Sequence, residues 1–241
     1  MSHRKRGYNR DVPVELIRDY KLFAISCEGG KREPGYFNVF QYLSGKIKVD
    51  VIENYVTDEE MFLTYETNSA PKWVLDRAMK YIDRNDLKDE DDLWFVIDKD
   101  RWTENQIREL ASFCDDHPNW HLVISNPCFE IWLYFHKKAN IEDSKSRKCN
   151  DFKEEISRFE KGGYHPLKFV PYFQTATNNA KSHDSDPNHF IPKTKETKVY
   201  SLFEAILSKI KKADIEEFIN ITIPKLVRIE AQKTKHRYNR T

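Results

Sequence analysis

Much is decided by what the chain has little of. Its four cysteines (Cys27, Cys114, Cys128, Cys149) form no C-x-x-C pair, which argues against structural zinc and against a disulfide framework. Two of them lie in apolar segments, where a thiol acts as a small hydrophobe. No stretch of about 18 apolar residues is present to span a bilayer, and the first residues lack the apolar core of a signal peptide. The expectation is a soluble, cytoplasmic protein without a membrane partner. No G-x-x-x-x-G-K-[ST] occurs, so a P-loop NTPase is excluded. Charge of one sign is also missing: 40 Lys and Arg offset 39 Asp and Glu for a net charge of +1, which gives no support to a uniformly basic nucleic-acid binder. There is no internal repeat and no low-complexity tract. At 241 residues the chain is long enough to bury a core of its own.

Charge is distributed unevenly. His3-Arg4-Lys5-Arg6 with Arg10 opens the chain, Lys233 to Arg240 closes it, and acids crowd Asp83 to Asp92. Basic ends of this kind can contact phosphate with salt-dependent affinity, or remain solvated tails.

Between them, short runs that are apolar on consecutive residues mark strands covered on both faces: Leu22 to Cys27, Leu93 to Ile97, and Trp120 to Ile124, with Lys48 to Ile52 as a shorter fourth. Helical spacing separates them. Tyr36, Phe37, Val39, Phe40 and Leu43 follow the first strand, Val74, Leu75, Ala78, Met79 and Ile82 follow Pro71, and Thr103-Glu104-Asn105-Gln106 is a capping box ahead of Ile107, Leu110 and Cys114. Ser125-Asn126-Pro127 reads as an N-cap with proline at N1 of a further helix, whose free N–H groups would face the crevice. The alternation of strand and helix predicts an α/β fold, an open and mostly parallel sheet with helices on both faces. Residues 1–20 read as a basic arm, 21–140 as the α/β core, and 141–241 as a C-terminal extension. In the extension, 151–160 is a short helix, 162–195 is loop-like, and Val199 to Ile210 and Ile215 to Gln232 are helical.

Two of the buried runs end in carboxylates: Cys27 leads into Glu28-Gly29-Gly30, and Ile97 leads into Asp98-Lys99-Asp100. The carboxyl ends of parallel strands open into the ligand crevice of an α/β sheet, so acids far apart in sequence can meet there. Polar residues also end strands simply because turns favour them, but the joint occurrence points to a site. Asp98 and Asp100, if extended, face the same side. Hard oxygen donors of this kind suit Mg²⁺ or Mn²⁺, one ion or two, and phosphate-ester chemistry. Lys31, Arg32, Lys99 and Arg101 flank the acids and can hold a scissile phosphate or offset transition-state charge, although exposed charge is the default for at least two of them. Ser125 and Asn126 can offer hydrogen bonds to phosphate. Of the five tryptophans, only Trp102, beside the Asp pair, suggests a substrate contact; His165, His183 and His189 match no zinc spacing.

The segments Phe23 to Phe37, Val96 to Trp102 and Ser125 to Leu133 together resemble the RloB-like family, a Toprim-related group associated with bacterial restriction and abortive-infection loci. A fourth, weaker match runs from Pro192-Lys-Thr194 to Leu202. The resemblance implies a Toprim-like metal site that cuts nucleic-acid strands, DNA or RNA, with Glu28 as general acid/base and Asp98 and Asp100 as metal ligands. Glu33 and Glu130 match further acids of the family and would serve a second ion. A partner ATPase and a role in defence against phage are implied as well. The chain departs from the pattern at Gly30, where many relatives carry an acid.

Competing readings are an Asp-x-Asp phosphatase, which would place its motif on the opening strand, and a receiver-like domain, which would want paired acids after the first strand. A non-catalytic subunit that binds nucleic acid or a partner and uses metal to order its loops is the non-enzyme alternative.

Overall fold

A computed structural model describes residues 19–52, 70–85 and 87–238, the side chains of 70–73 and 234–238 excepted. Residues 1–18 of the basic arm at 1–20, and the basic side chains beyond Lys233, lie outside the described residues.

The core follows the expected alternation: β1 (Lys21–Cys27), α1 (Arg32–Phe37), β2 (Ile47–Val51), α2 (Ala70–Arg84), β3 (Asp92–Asp98), α3 (Glu104–Asp115), β4 (Trp120–Asn126) and α4 (Glu130–Phe135). The C-terminal region adds α5 (Cys149–Arg158), α6 (Pro166–Phe169), α7 (Phe173–His183), β5 (Glu196–Thr197), α8 (Val199–Leu207), α9 (Lys212–Glu217) and α10 (Ile223–Tyr238). The sheet order is β2-β1-β3-β4-β5, with the first four strands parallel and β5 antiparallel to β4.

Alternation along the strands divides their side chains between two layers. Phe23, Ile25, Cys27, Trp94, Val96 and Val123 join a core with α1, α4 and the C-terminal helices. Ala24, Leu93, Phe95, Ile97 and Ile124 face α2 and α3. Burial on both faces explains why these strands are continuously apolar in sequence. The first core is aromatic: Trp132 of α4 stacks on Phe203 of α8 with ring centroids 5.0 Å apart, and Phe40 meets Phe173 and Phe203. The C-terminal extension therefore shares one hydrophobic interior with the sheet.

His136 sits in that interior, 1% exposed. Its Nδ1 faces the Trp132 carbonyl at 2.9 Å and must donate, so Nε2 accepts from the Tyr36 hydroxyl at 2.8 Å. Burial, more than any charge nearby, lowers its pKa to about 3. Below about pH 6.5 the unfolded chain binds a proton that the folded chain refuses, so this group makes folding less favourable by about 1.4 kcal/mol per pH unit until the folded ring itself titrates. The stability gap between wild type and His136→Gln, measured by urea unfolding, is expected to narrow by about 2 kcal/mol between about pH 7.5 and about pH 5. A gap that stays constant would show a ring that titrates alike in the folded and unfolded chains, and a gap that widens would show it charged in the fold.

Four local expectations change. The 162–195 stretch contains α7, where Thr175, Thr177, Asn178 and Asn179 mask the helical signal while Phe173, Ala176, Thr177 and Ala180 are buried. Residues 196–197 form a fifth strand too short to leave a sequence pattern. The long C-terminal helix is interrupted by a π-helical turn, Phe218–Thr222, just before Pro224, whose missing N–H breaks the regular ladder. Finally α4 begins at Glu130, not at Pro127, with a cis Asn126–Pro127 peptide ahead of it. Asn126 is no N-cap: the Phe129 N–H at the helix start donates to Asp98 Oδ1 across the sheet, at 2.8 Å.

Candidate active site

The chain reverses its direction of travel across the sheet between β1 and β3, since β2 lies on one side of β1 and β3 on the other. The crevice at such a switch point is where open α/β sheets bind ligands. Glu28 follows the last residue of β1, and Asp98 is the last residue of β3. The ladder continues into the loop: Glu28 N donates to Val96 O at 2.9 Å, and Asp98 N donates to the Glu28 carboxylate at 3.0 Å. Trp102 Nε1 donates to the same oxygen, Glu28 Oε2, at 3.0 Å. The tryptophan singled out as a substrate contact thus fixes an acid, and Glu28 Oε1 has no protein partner among the described residues.

Glu33, in the first turn of α1, folds its carboxylate back over Gly29, where a side chain at residue 29 would collide with it. Only glycine permits that approach. Glu130, 3% exposed, is paired with Arg32, whose guanidinium also lies 5.0 Å over the Tyr164 ring. Tyr164 has a buried hydroxyl with no partner among the described residues; nothing in its sequence neighbourhood marks it, nor Arg77 of α2, which donates to the Cys27 carbonyl at the end of β1.

Asp100 departs from the expectation. The strand stops at Asp98, Trp102 N closes a turn onto Lys99 O at 3.2 Å, and Asp100 occupies that turn, exposed and accepting from Cys149 Sγ at 3.0 Å. Asp98 and Asp100 are therefore not on one extended face. Lys99 donates to the Trp102 carbonyl at 3.0 Å and so braces the same turn, while Lys31 and Arg101 are exposed. The Ser125 hydroxyl is buried and bonded to Thr197 Oγ1 at 2.7 Å, so it belongs to the β4–β5 pair rather than to a ligand. Asn126 donates to the Pro192 carbonyl at 2.9 Å.

Electrostatics ties the acids together. Burial pushes Asp98 well above the usual carboxylate range, and the charges of Glu33, Glu28, Glu130 and Asp100 push it further. Glu28 is raised by burial against the opposing hydrogen bonds from Asp98 N and Trp102. Glu33 is raised by burial and by Glu130 and Glu28, with Arg32 opposing. Carboxylates that repel one another at a shared strand end want a cation.

Among the described residues no three His, Cys, Asp or Glu side chains stand close enough to cage an ion as placed. The donor chemistry nevertheless fits a hard divalent cation: the converging acids offer carboxylate oxygen, with Arg32 paired to Glu130 and Arg101 acting on Glu28. Gly29→Ala tests the geometry directly. The collision falls on the mobile end of Glu33, so stability should move by less than about 0.5 kcal/mol in thermal unfolding while Glu33 is displaced. Divalent-ion affinity in calorimetry should fall about tenfold. Unchanged affinity would remove Glu33 from the site.

The comparisons with known proteins place the chain in sequence space. A model of the RloB-like protein family matches residues 23–206, a span that contains every acid described above. No curated protein and no solved structure matches the chain. No helix among the described residues is long and apolar enough to cross a membrane.

Proposed function

The chain belongs to the RloB-like protein family, and we propose that it is a divalent-metal-dependent nuclease of Toprim type, hydrolysing phosphodiester bonds in DNA or RNA. The observation that carries this reading is the meeting of Glu28 and Asp98 at the ends of adjacent parallel strands, one carboxylate bonded to the other residue's N–H. Glu28, Asp98 and Glu33 would hold Mg²⁺ or Mn²⁺, with Asp100 and Glu130 close enough to act on Asp98 through their charge. When bound, such an ion offsets phosphate charge and makes a water easier to deprotonate. Glu28 suits proton transfer: Oε2 is fixed by two donors, Oε1 has no partner among the described residues, and its raised proton affinity lies nearer to neutrality than an ordinary carboxylate's. Arg32, Lys99 and Arg101 supply positive charge for the scissile phosphate. In the same reading a partner ATPase and a role in anti-phage defence follow from the family.

Labelled single- and double-stranded DNA and RNA, titrated with Mg²⁺ and Mn²⁺, test the proposal. Wild type is expected to cut, and Glu28→Gln and Asp98→Asn are expected not to. Equal residual cutting by all three proteins would reject it.

One observation favours the alternative of a binding subunit with metal-ordered loops: Glu130 is already neutralised by Arg32. That reading expects nucleic-acid binding without cutting by wild type, and binding that survives Asp98→Asn.

A further inference from the structure

The segment 184–197, loop-like in sequence, is held from three directions. Buried Lys198 donates to both oxygens of Asp184, at 2.8 and 2.6 Å, and to the Asp186 carbonyl at 2.7 Å, while Tyr200 donates to Asp184 Oδ2 at 2.6 Å. The buried Glu196 carboxylate accepts from Ser185 N and Lys193 N. Asn126 at the end of β4 is bonded to Pro192 O and, through its own carbonyl, to Lys195 N. Lys195 sits at a φ of 68°, which lets the chain turn back toward β4. A buried ion pair with every oxygen engaged makes this loop a fixed wall.

Between the wall and the start of α3 lies a cavity of about 460 Å³, within the size range of small-ligand sites. It opens at the same end of the sheet as the acids: Asp98 pairs with Ser125 across β3–β4, and the residues that follow them, Lys99 in the turn and Asn126 at the end of β4, line the cavity. Lys99 also donates to the carbonyl of Trp102, whose indole holds Glu28, so the cavity adjoins the turn that carries the acids.

Its lining does not suit a phosphate. Among the described residues three carboxylates line it, those of Glu104, Asp186 and Glu196, against the two lysines Lys99 and Lys193, so its fixed charge is net negative. It suits a neutral flat heterocycle instead. Ile191 and Pro192 give an apolar ledge, and His189 adds a ring fixed by its bond to Ile191 O at 2.8 Å. The Asp186 carboxylate accepts no protein hydrogen bond among the described residues, and Glu104 has only a loose 3.8 Å contact with Arg108. Asn126 Oδ1 is a third acceptor without a protein donor among the described residues.

We propose that this cavity binds the base of an unpaired nucleotide next to the scissile phosphate, preferring bases with an exocyclic amino group. The assignment rests on the nuclease reading and gives its substrate class as single-stranded or locally unpaired. Bases held in a duplex cannot enter a side cavity without leaving the stack, whereas unpaired bases stack on rings and offer their edges. Acceptor-only carboxylates pair with the amino groups of adenine, cytosine and guanine; uracil and thymine leave one of them unpaired.

The test uses the full chain carrying Asp98→Asn, so that binding is read without cutting, and fluorescence anisotropy with short labelled oligo-A, oligo-C and oligo-U or oligo-T strands and the A·T duplex. Oligo-A and oligo-C are expected to bind about tenfold tighter than oligo-U or oligo-T, and than the duplex. Adding Glu104→Gln or Asp186→Asn, both at exposed positions, should bring the base ratio toward one. Thr194→Trp, which fills the cavity from another exposed position, should weaken all single strands about tenfold with the thermal midpoint unchanged. Equal binding of duplex and single strands, or a base ratio that none of the three substitutions moves, would overturn the proposal. A 5′-mononucleotide competing as well as the strand would overturn the assignment to a polynucleotide. If wild type cuts nothing while the ratio persists and responds, the nuclease reading fails and the base site stands; if wild type cuts and the ratio never responds, the reverse holds.

Discussion

Asp98→Asn is expected to abolish metal-dependent cleavage, by about 10³-fold or more, and at the same time to make the metal-free protein more stable by about 1–2 kcal/mol at neutral pH. The two effects have one cause. Asp98 is partly buried among Glu33, Glu28, Glu130 and Asp100, and its ionised form is disfavoured by burial and by those charges. A folded-state pKa above the unfolded value means that folding is opposed as pH rises through that interval, so the neutral amide gains most at the upper end of it. The packing contact survives, because an asparagine Oδ1 can still accept from Phe129 N. Thermal unfolding in EDTA and a cleavage assay on the same preparations check both halves. A destabilised variant would mark Asp98 as a structural cap of α4 rather than as a functional acid.

Arg32→Met should lower stability by about 3–5 kcal/mol, because Glu130 is left charged and unpaired in a nearly closed environment. Methionine keeps an apolar stem against Tyr164, so lost packing contributes little. Combining it with Glu130→Gln should recover most of the loss, the mark of a pair whose removal as a unit is mild. Urea unfolding of the two single variants and the double variant measures the coupling. Additive losses would mean that the two side chains do not depend on each other. Divalent cation should also recover part of the loss in Arg32→Met alone, since Glu130 is then released to an ion.

The sheet and the convergence of Glu28 with Asp98 were legible because their signals are local. Continuous apolar runs follow from burial on both faces, and the Thr103–Gln106 capping box forms as its spacing requires. Acids at strand ends inherit their meeting place from the topology. What stayed illegible depends on pairings between distant residues. Arg32 and Glu130 are 98 positions apart, and Trp102 and Glu28 are 74. Strand geometry puts Asp100 on the face of Asp98, and the turn at Lys99 breaks that geometry. The α7 helix is built from small and polar residues whose helical character comes from the core they pack against. Even the cavity wall at 184–197 owes its shape to a buried lysine that looks, in sequence, like one more surface charge.

The central claim is that carboxylates from separate strands share one divalent cation at the β1/β3 switch point. Crystals grown with Mn²⁺ and measured for anomalous scattering test it most directly. A manganese peak bounded by the carboxylates of Glu28, Asp98 and Glu33 is expected, and its loss in Asp98→Asn crystals. A protein that cuts nucleic acid in Mn²⁺ while that position stays empty, or a peak that persists after the substitution, would contradict it.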